Sequence, residues 1–163
     1  MFDPAINRKV FSDWRHFLAF GCGSGLARHA PGTFGTLLAI PIYLGLSHLP
    51  VWLYAVTVVA AFALGVWICA TVSDDLRVHD HAGIVFDEFV GYWITMFLVP
   101  ATWPWVLLGF GMFRLFDIWK PGPIRWIDRH VEGGFGIMVD DVAAGVVACA
   151  ALHALLWALG TAT

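Results

Sequence analysis

Charge is scarce in this chain. Asp, Glu, Lys and Arg together make up 13% of its 163 residues, against about 25% in an ordinary soluble domain. A surface solvated on every side is therefore excluded; the formal net charge of −3 decides nothing, because the distribution matters more than the sum, and no nucleic-acid partner is expected. Cysteine is thin as well: Cys22, Cys69 and Cys149 are scattered and odd in number, and two of them stand inside apolar runs. That excludes a disulfide framework and a cysteine-rich metal site. No secretory leader is expected from the first twenty residues. In MFDPAINRKVFSDWRHFLAF, Asp13, Arg15 and His16 interrupt any apolar core, and no small-residue cleavage site follows.

Apolar residues stand where the charge does not, at 60% of the chain. Three runs contain none of the four charged residue types: His29 to Ser73, Phe89 to Phe113, and Val142 to Thr163. A helix needs about 20 apolar residues to cross a hydrocarbon core of roughly 30 Å. Val51 to Val72 meets this, and so does Val142 to Ala162 as a helix rich in small residues. Several of the nine tryptophans, among them Trp103, Trp105, Trp119 and Trp126, stand beside prolines or charges, as in an interfacial belt. The expectation is an all-α fold: a compact helical membrane protein with several hydrophobic helices and an acidic site on its cytoplasmic face. Residues 1–163 form a single domain, with 1–20 as a surface amphipathic segment.

Along the chain, residues 10–20 predict a short amphipathic helix with Trp14, Phe17, Leu18 and Phe20 on its apolar side. The glycine-rich run at 21–25 ends it. Gly32 to Leu49 predicts a hydrophobic helix kinked near Pro41, with Thr33 able to cap its start. A tight turn at His48-Leu49-Pro50 leads into the 51–72 span. The run from Phe89 to Phe113 is long enough for one span, but Pro100 and Pro104 favour two helices broken between them. Charge placement agrees. A single span would put Arg114, Lys120, Arg125 and Arg129 on the opposite side from Arg8, Lys9 and Arg15, against the positive-inside tendency, whereas a hairpin keeps them together.

The few charges fall in groups. Asp74-Asp75 and His79-Asp80-His81 suit a solvated loop between helices. Asp87-Glu88 differs, because it opens an apolar helix, where ionised carboxylates are costly unless something cationic binds them. A helix dipole offsets only about 0.3–1 kcal/mol. Farther on, Arg114 and Asp117 are spaced i, i+3 for a salt bridge. Lys120-Pro121 ends that helix and leaves the ammonium free near the interface. Gly133-Gly134-Phe135-Gly136 supplies a flexible turn, and Asp140-Asp141 then opens another apolar helix. Two acidic helix starts facing one shared ion explain the matching placement of both pairs.

Three runs carry a resemblance: GSGLARHAPGTFGTLLAIP (23–41), GIVFDEFVGYWI (83–94) and FRLFDIWKPGPIRWIDRHVEGGFGIMVDDVAAG (113–145). In order and spacing the chain resembles the phosphatidylglycerophosphatase A family of bacterial membrane phosphatases. Two mild departures, Arg28-His29 and Gly122, leave the acidic set intact. The resemblance implies hydrolysis of the phospholipid phosphatidylglycerophosphate to phosphatidylglycerol and phosphate, with Mg²⁺ as cofactor, by a multi-pass protein of the bacterial cytoplasmic (inner) membrane. Mapped by motif, it implies that Asp87, Glu88, Asp117, Asp140 and Asp141 are the catalytic acids. Asp87, Glu88, Asp140 and Asp141 would hold the metal, and Arg114 and Lys120 would contact the substrate phosphate.

Two rival readings remain open on residues alone. Cys22 and Arg28 fit C-x5-R, a loop in which an arginine and backbone N–H groups stabilise a nucleophilic thiolate. A small ion-coupled transporter would also carry acids within a membrane protein. It predicts them in mid-span, however, and here they lie at span edges.

Overall fold

The long apolar runs fold as helices, and no strand occurs among the residues described by the computed structural model, 4–78 and 81–160. In chain order these are α1 (Pro4–Ser12), α2 (Trp14–Ala19), a 3₁₀ turn (Gly21–Leu26), α3 (Pro31–Leu46), α4 (Val51–Leu76), α5 (Phe86–Thr95), α6 (Trp103–Trp119), α7 (Pro123–His130) and α8 (Gly133–Ala158). Helices α4 and α8 have 26 residues each and are long and apolar enough to cross a membrane. At 1.5 Å per residue each reaches roughly 39 Å. Both turn large apolar side chains outward: Trp52 is 67% exposed and Trp157 80%, with Val59, Trp67 and Val146 also exposed. Water would penalise such a surface, and a bilayer would not.

Around this pair the chain makes a bundle in which α5 is the most enclosed element. Phe86, Phe89, Val90, Tyr92 and Trp93 on α5 are all buried, packed against α3, α4, α6 and α8. The prolines do mark a break in the third apolar run, as expected. The helix already stops at Thr95, however, with Met96 as its cap, and Leu98 beyond it takes a left-handed φ of 57°. With ten residues, α5 is roughly 15 Å long, half a hydrocarbon core. A helix ending inside an apolar bundle leaves carbonyls that need donors, and side chains supply them. The Tyr54 hydroxyl donates to Trp93 O at 2.6 Å, and the Tyr43 hydroxyl to Val99 O at 3.2 Å. His153 Nε2 lies 2.9 Å from Phe97 O.

The amino-terminal segment is two helices rather than one over 10–20. Asp13 interrupts it because its carboxylate accepts the Arg15 backbone N–H at 2.9 Å, the local bond that makes Asp a good helix N-cap. Phe20 of the expected apolar side is buried, Phe17 and Leu18 are half-buried, and Trp14 is largely exposed. The Trp14 ring packs on Trp67 of α4 at a centroid distance of 5.8 Å. Helix α3 starts at Pro31, runs through Pro41 unbroken and stops at Leu46. Thr33 therefore lies in its first turn and does not cap it. His79, Asp80 and residues 161–163 lie outside the described residues.

Candidate active site

The polar end of the bundle is assembled from four helices. Helix α5 begins at Phe86, so Asp87 and Glu88 form its first turn. Glu88 lies against the start of α3, which can approach this closely only as glycine: a Cβ on Gly32 would land on the Glu88 carboxylate. Helix α6 runs back towards the same end and brings Arg114 and Asp117. Arg114 Nη1 is 2.6 Å from Asp117 Oδ2, the expected i, i+3 pair, and 3.4 Å from Glu88 Oε1. This contact ties α6 to α5.

Helix α6 ends at Lys120, which adopts a left-handed φ of 45° just before Pro121. The ammonium is not free, contrary to the expectation. It donates to Asp128 Oδ1 on α7 at 2.6 Å and to Asp140 on α8. Burial works against its charge, but the hydrogen bonds to Asp128 and Asp140 outweigh that and hold the Lys120 pKa above its ordinary value. The side chain therefore stays cationic at neutral pH.

Helix α8 also differs from expectation. Gly133 to Gly136 is its first turn, not a flexible loop. Gly134 is needed for close packing there, because a Cβ would meet the backbone of Val66 on α4. Asp140 and Asp141 consequently sit about two turns inside the helix instead of at its start, and both are buried.

One cavity of about 270 Å³ gathers these groups: Asp87, Glu88, Asp117, Lys120, Asp128, Asp140 and Asp141 line it. Thus the five predicted acids and Lys120 share one wall. Arg114 is placed behind Glu88 and Asp117, and it also lines an apolar groove with Leu115, Ile118 and Trp119. Asp141 lies within electrostatic reach of Asp117, Asp87, Asp140 and Glu88. Asp140 Oδ1, Asp141 Oδ2 and Arg114 Nε are buried here without a hydrogen-bond partner among the described residues. Asp128 was not singled out from the sequence, though a signal was present. It lies four residues after buried Ile124, on the helix face that turns inward.

The cysteine reading loses its footing at the 3₁₀ turn. Cys22 is exposed at φ 54°, and the burial it does have raises its thiol pKa, the wrong direction for a thiolate nucleophile.

Comparison with known proteins gives the chain a family. The family described as Phosphatidylglycerophosphatase A matches residues 17–156. The chain is 47% identical over 161 residues to the phosphatidylglycerophosphatase A of Escherichia coli K12, covering 97% of this chain and 94% of that protein. It is 44% identical over 142 residues to the phosphatidylglycerophosphatase A of Haemophilus influenzae Rd, covering 86% and 87% respectively. A Bacteroides thetaiotaomicron protein, provisionally described as a phosphatidylinositol-3-phosphatase, is 38% identical over 148 residues, covering 86% of this chain and 92% of that protein. No solved structure matches the chain. An apolar helical bundle that concentrates its buried charge in one carboxylate-lined cavity, with relatives of this kind, is an enzyme of the phosphatase class. Within that class, the chain belongs to the phosphatidylglycerophosphatase A family.

Proposed function

We propose that the chain hydrolyses phosphatidylglycerophosphate to phosphatidylglycerol and inorganic phosphate, with Mg²⁺ as cofactor, at the cytoplasmic face of the bacterial inner membrane. The charge of the cavity carries this reading: six carboxylates line it against one ammonium. A phosphomonoester brings a further −1.5 to −2 or so at neutral pH, so an anion of this kind needs a cation in the same space. Asp140 Oδ1 and Asp141 Oδ2, buried without hydrogen-bond partners, are the oxygen atoms a hard cation satisfies, and a wall of carboxylates suits Mg²⁺. Asp87, Glu88, Asp140 and Asp141 would hold it. When bound, the ion supplies Lewis-acid polarisation of the phosphoryl oxygens and acidifies an attacking water.

The remaining chemistry belongs to the chain's own groups. Water attacks phosphorus, the bond from phosphorus to the glycerol oxygen breaks, and one of Asp87, Glu88, Asp117, Asp140 and Asp141 takes the water's proton, which passes to the departing glycerol oxygen. Lys120, on the cavity wall, neutralises charge spreading over the phosphoryl oxygens, and Arg114 would contact the phosphate from behind Glu88 and Asp117. Both are already held by carboxylates, so they are positioned before substrate arrives. Orientation follows from charge. All nine Lys and Arg residues of the chain lie outside the three charge-free runs, and the positive-inside tendency assigns the segments that carry them to the cytoplasm. The apolar ends of α4 and α8 then make the protein multi-pass.

The test is phosphate release by purified protein from phosphatidylglycerophosphate, with Mg²⁺ and after chelation. Activity that depends on Mg²⁺ and collapses in Asp87→Asn, Glu88→Gln and Asp140→Asn supports the site; undiminished activity in all three overturns it. Preferential cleavage of phosphatidylinositol 3-phosphate would overturn the substrate assignment alone.

A further inference from the structure

A second cluster of ligand-type side chains lies where α2 packs on the end of α4, and none of its residues lines the acidic cavity. His16 is 2% exposed, and both of its ring nitrogens are buried without a hydrogen-bond partner. A buried imidazole with two orphaned nitrogens is costly to leave so. Each nitrogen faces a carboxylate beyond hydrogen-bonding range: Nδ1 is 3.7 Å from Asp13 Oδ2, and Nε2 is 3.8 Å from Asp75 Oδ2. One ligand atom from each of Asp13, His16 and Asp75 lies within 4.8 Å of the others. Ligand atoms around a tetrahedral ion with bonds of about 2.0–2.1 Å lie roughly 3.4 Å apart, so the cluster needs to close by up to about 1.4 Å. Asp75 is free to do this, with its side chain 42% exposed.

The surrounding charges are arranged consistently with this. Arg15 grips the Asp13 carboxylate through Nε and Nη2, the latter at 2.6 Å from Oδ2. Those bonds hold Asp13 well below the usual carboxylate range, at about 2, and fix it in place as hydrogen-bonded metal carboxylates are fixed. Lys9 donates to the Asp75 backbone carbonyl at 3.1 Å and not to its carboxylate. Burial keeps the His16 pKa below its ordinary value, so the ring is neutral at pH 7, the form that ligates.

From this geometry we infer that Asp13, His16 and Asp75 form a structural site for a borderline divalent cation of the Zn²⁺ class, which fastens the amino-terminal helices to the end of α4. One imidazole with two carboxylates is a mixed N/O set that suits Zn²⁺ or Co²⁺, whereas Mg²⁺ prefers oxygen alone. This site is independent of the phosphatase reading.

Full-length purified protein, stripped with chelator, is titrated with Co²⁺ in the presence of excess Mg²⁺ and then challenged with Zn²⁺. Expected are visible ligand-field bands that saturate near one equivalent, are displaced by Zn²⁺, and require at least about tenfold more metal in His16→Gln and in Asp75→Asn. Asp75→Asn, at a half-exposed position, keeps the test informative if His16→Gln does not fold. Asp140→Asn should leave the titration unchanged. No saturable Co²⁺ binding, binding untouched by His16→Gln and Asp75→Asn, or loss of binding only in Asp140→Asn would each overturn the inference.

Discussion

Replacing Lys120 with Met removes the ammonium while keeping most of the apolar stem, and the structure gives the size of the effect. Lys120 makes two ion pairs of unequal weight. The one with Asp128 reaches a carboxylate 37% exposed, and pairs of that kind contribute about 0.2–1 kcal/mol. The one with Asp140 reaches a carboxylate only 10% exposed, whose other oxygen already has no partner. Breaking a buried pair costs about 3–5 kcal/mol; a water-accessible cavity lowers this, to about 2–3 kcal/mol for both pairs together. For a chain of this length that is a fall in Tm of roughly 4–12 °C. The control is the double variant Lys120→Met/Asp140→Asn, which removes the stranded charge and should recover about 1–2 kcal/mol as a coupling energy. Thermal unfolding in detergent, with and without Mg²⁺, reads all four corners of the cycle. Mg²⁺ should raise the Tm of Lys120→Met more than that of the parent, since an added cation replaces a missing one. A single variant within about 0.5 kcal/mol of the parent, or a double variant no better than Lys120→Met, would refute the bridging role.

Four further outcomes follow from the same geometry. Asp141→Asn should abolish most of the Mg²⁺-induced rise in Tm and lower phosphate release by at least about a hundredfold; an unchanged Mg²⁺ response would exclude Asp141 as a ligand. Gly32→Ala should destabilise by about 1–3 kcal/mol through overpacking and lower activity, because its methyl would displace Glu88; parent-like Tm and turnover would contradict that contact. In chelated protein, the depressed pKa of His16 means the unfolded chain binds its proton at higher pH than the folded one. His16 therefore contributes stability above about pH 6.5 that is lost as pH falls below it, and His16→Gln should flatten the Tm profile there; identical profiles would count against it. Cys22→Ser should keep full activity and full sensitivity to chelator, and an inactive, folded Cys22→Ser protein would revive the thiol chemistry.

What was legible in the sequence was legible for local reasons. The span at 51–72 announced itself by length and apolarity, and two prolines marked the hairpin between α5 and α6. The pairing of Arg114 with Asp117 needed only helical spacing. What was hidden depended on distant packing. The partners of Lys120 come from α7 and α8, so nothing in the run Trp119-Lys120-Pro121 points to them. The glycines at 133–136 suggested a turn because glycine is the usual turn residue, yet there they serve helix packing against α4. Asp140-Asp141 was expected at a helix start for the same reason, and moved two turns inward once α8 took in those glycines. The single helix over 10–20 failed at Asp13, where a short side chain outcompeted the helical pattern by accepting the Arg15 backbone N–H.

The acidic cavity draws its walls from α5, α6, α7 and α8, and the last of these comes at the end of the chain. Until α8 is made, Asp140 and Asp141 are missing, Lys120 has lost its innermost partner, and α4, α5 and α6 lack the helix they all pack against. A chain emerging from the ribosome therefore carries an incomplete site until its last helix is made. Completion of the cavity and completion of the bundle arrive together, because the helix that closes the core also delivers the last two carboxylates.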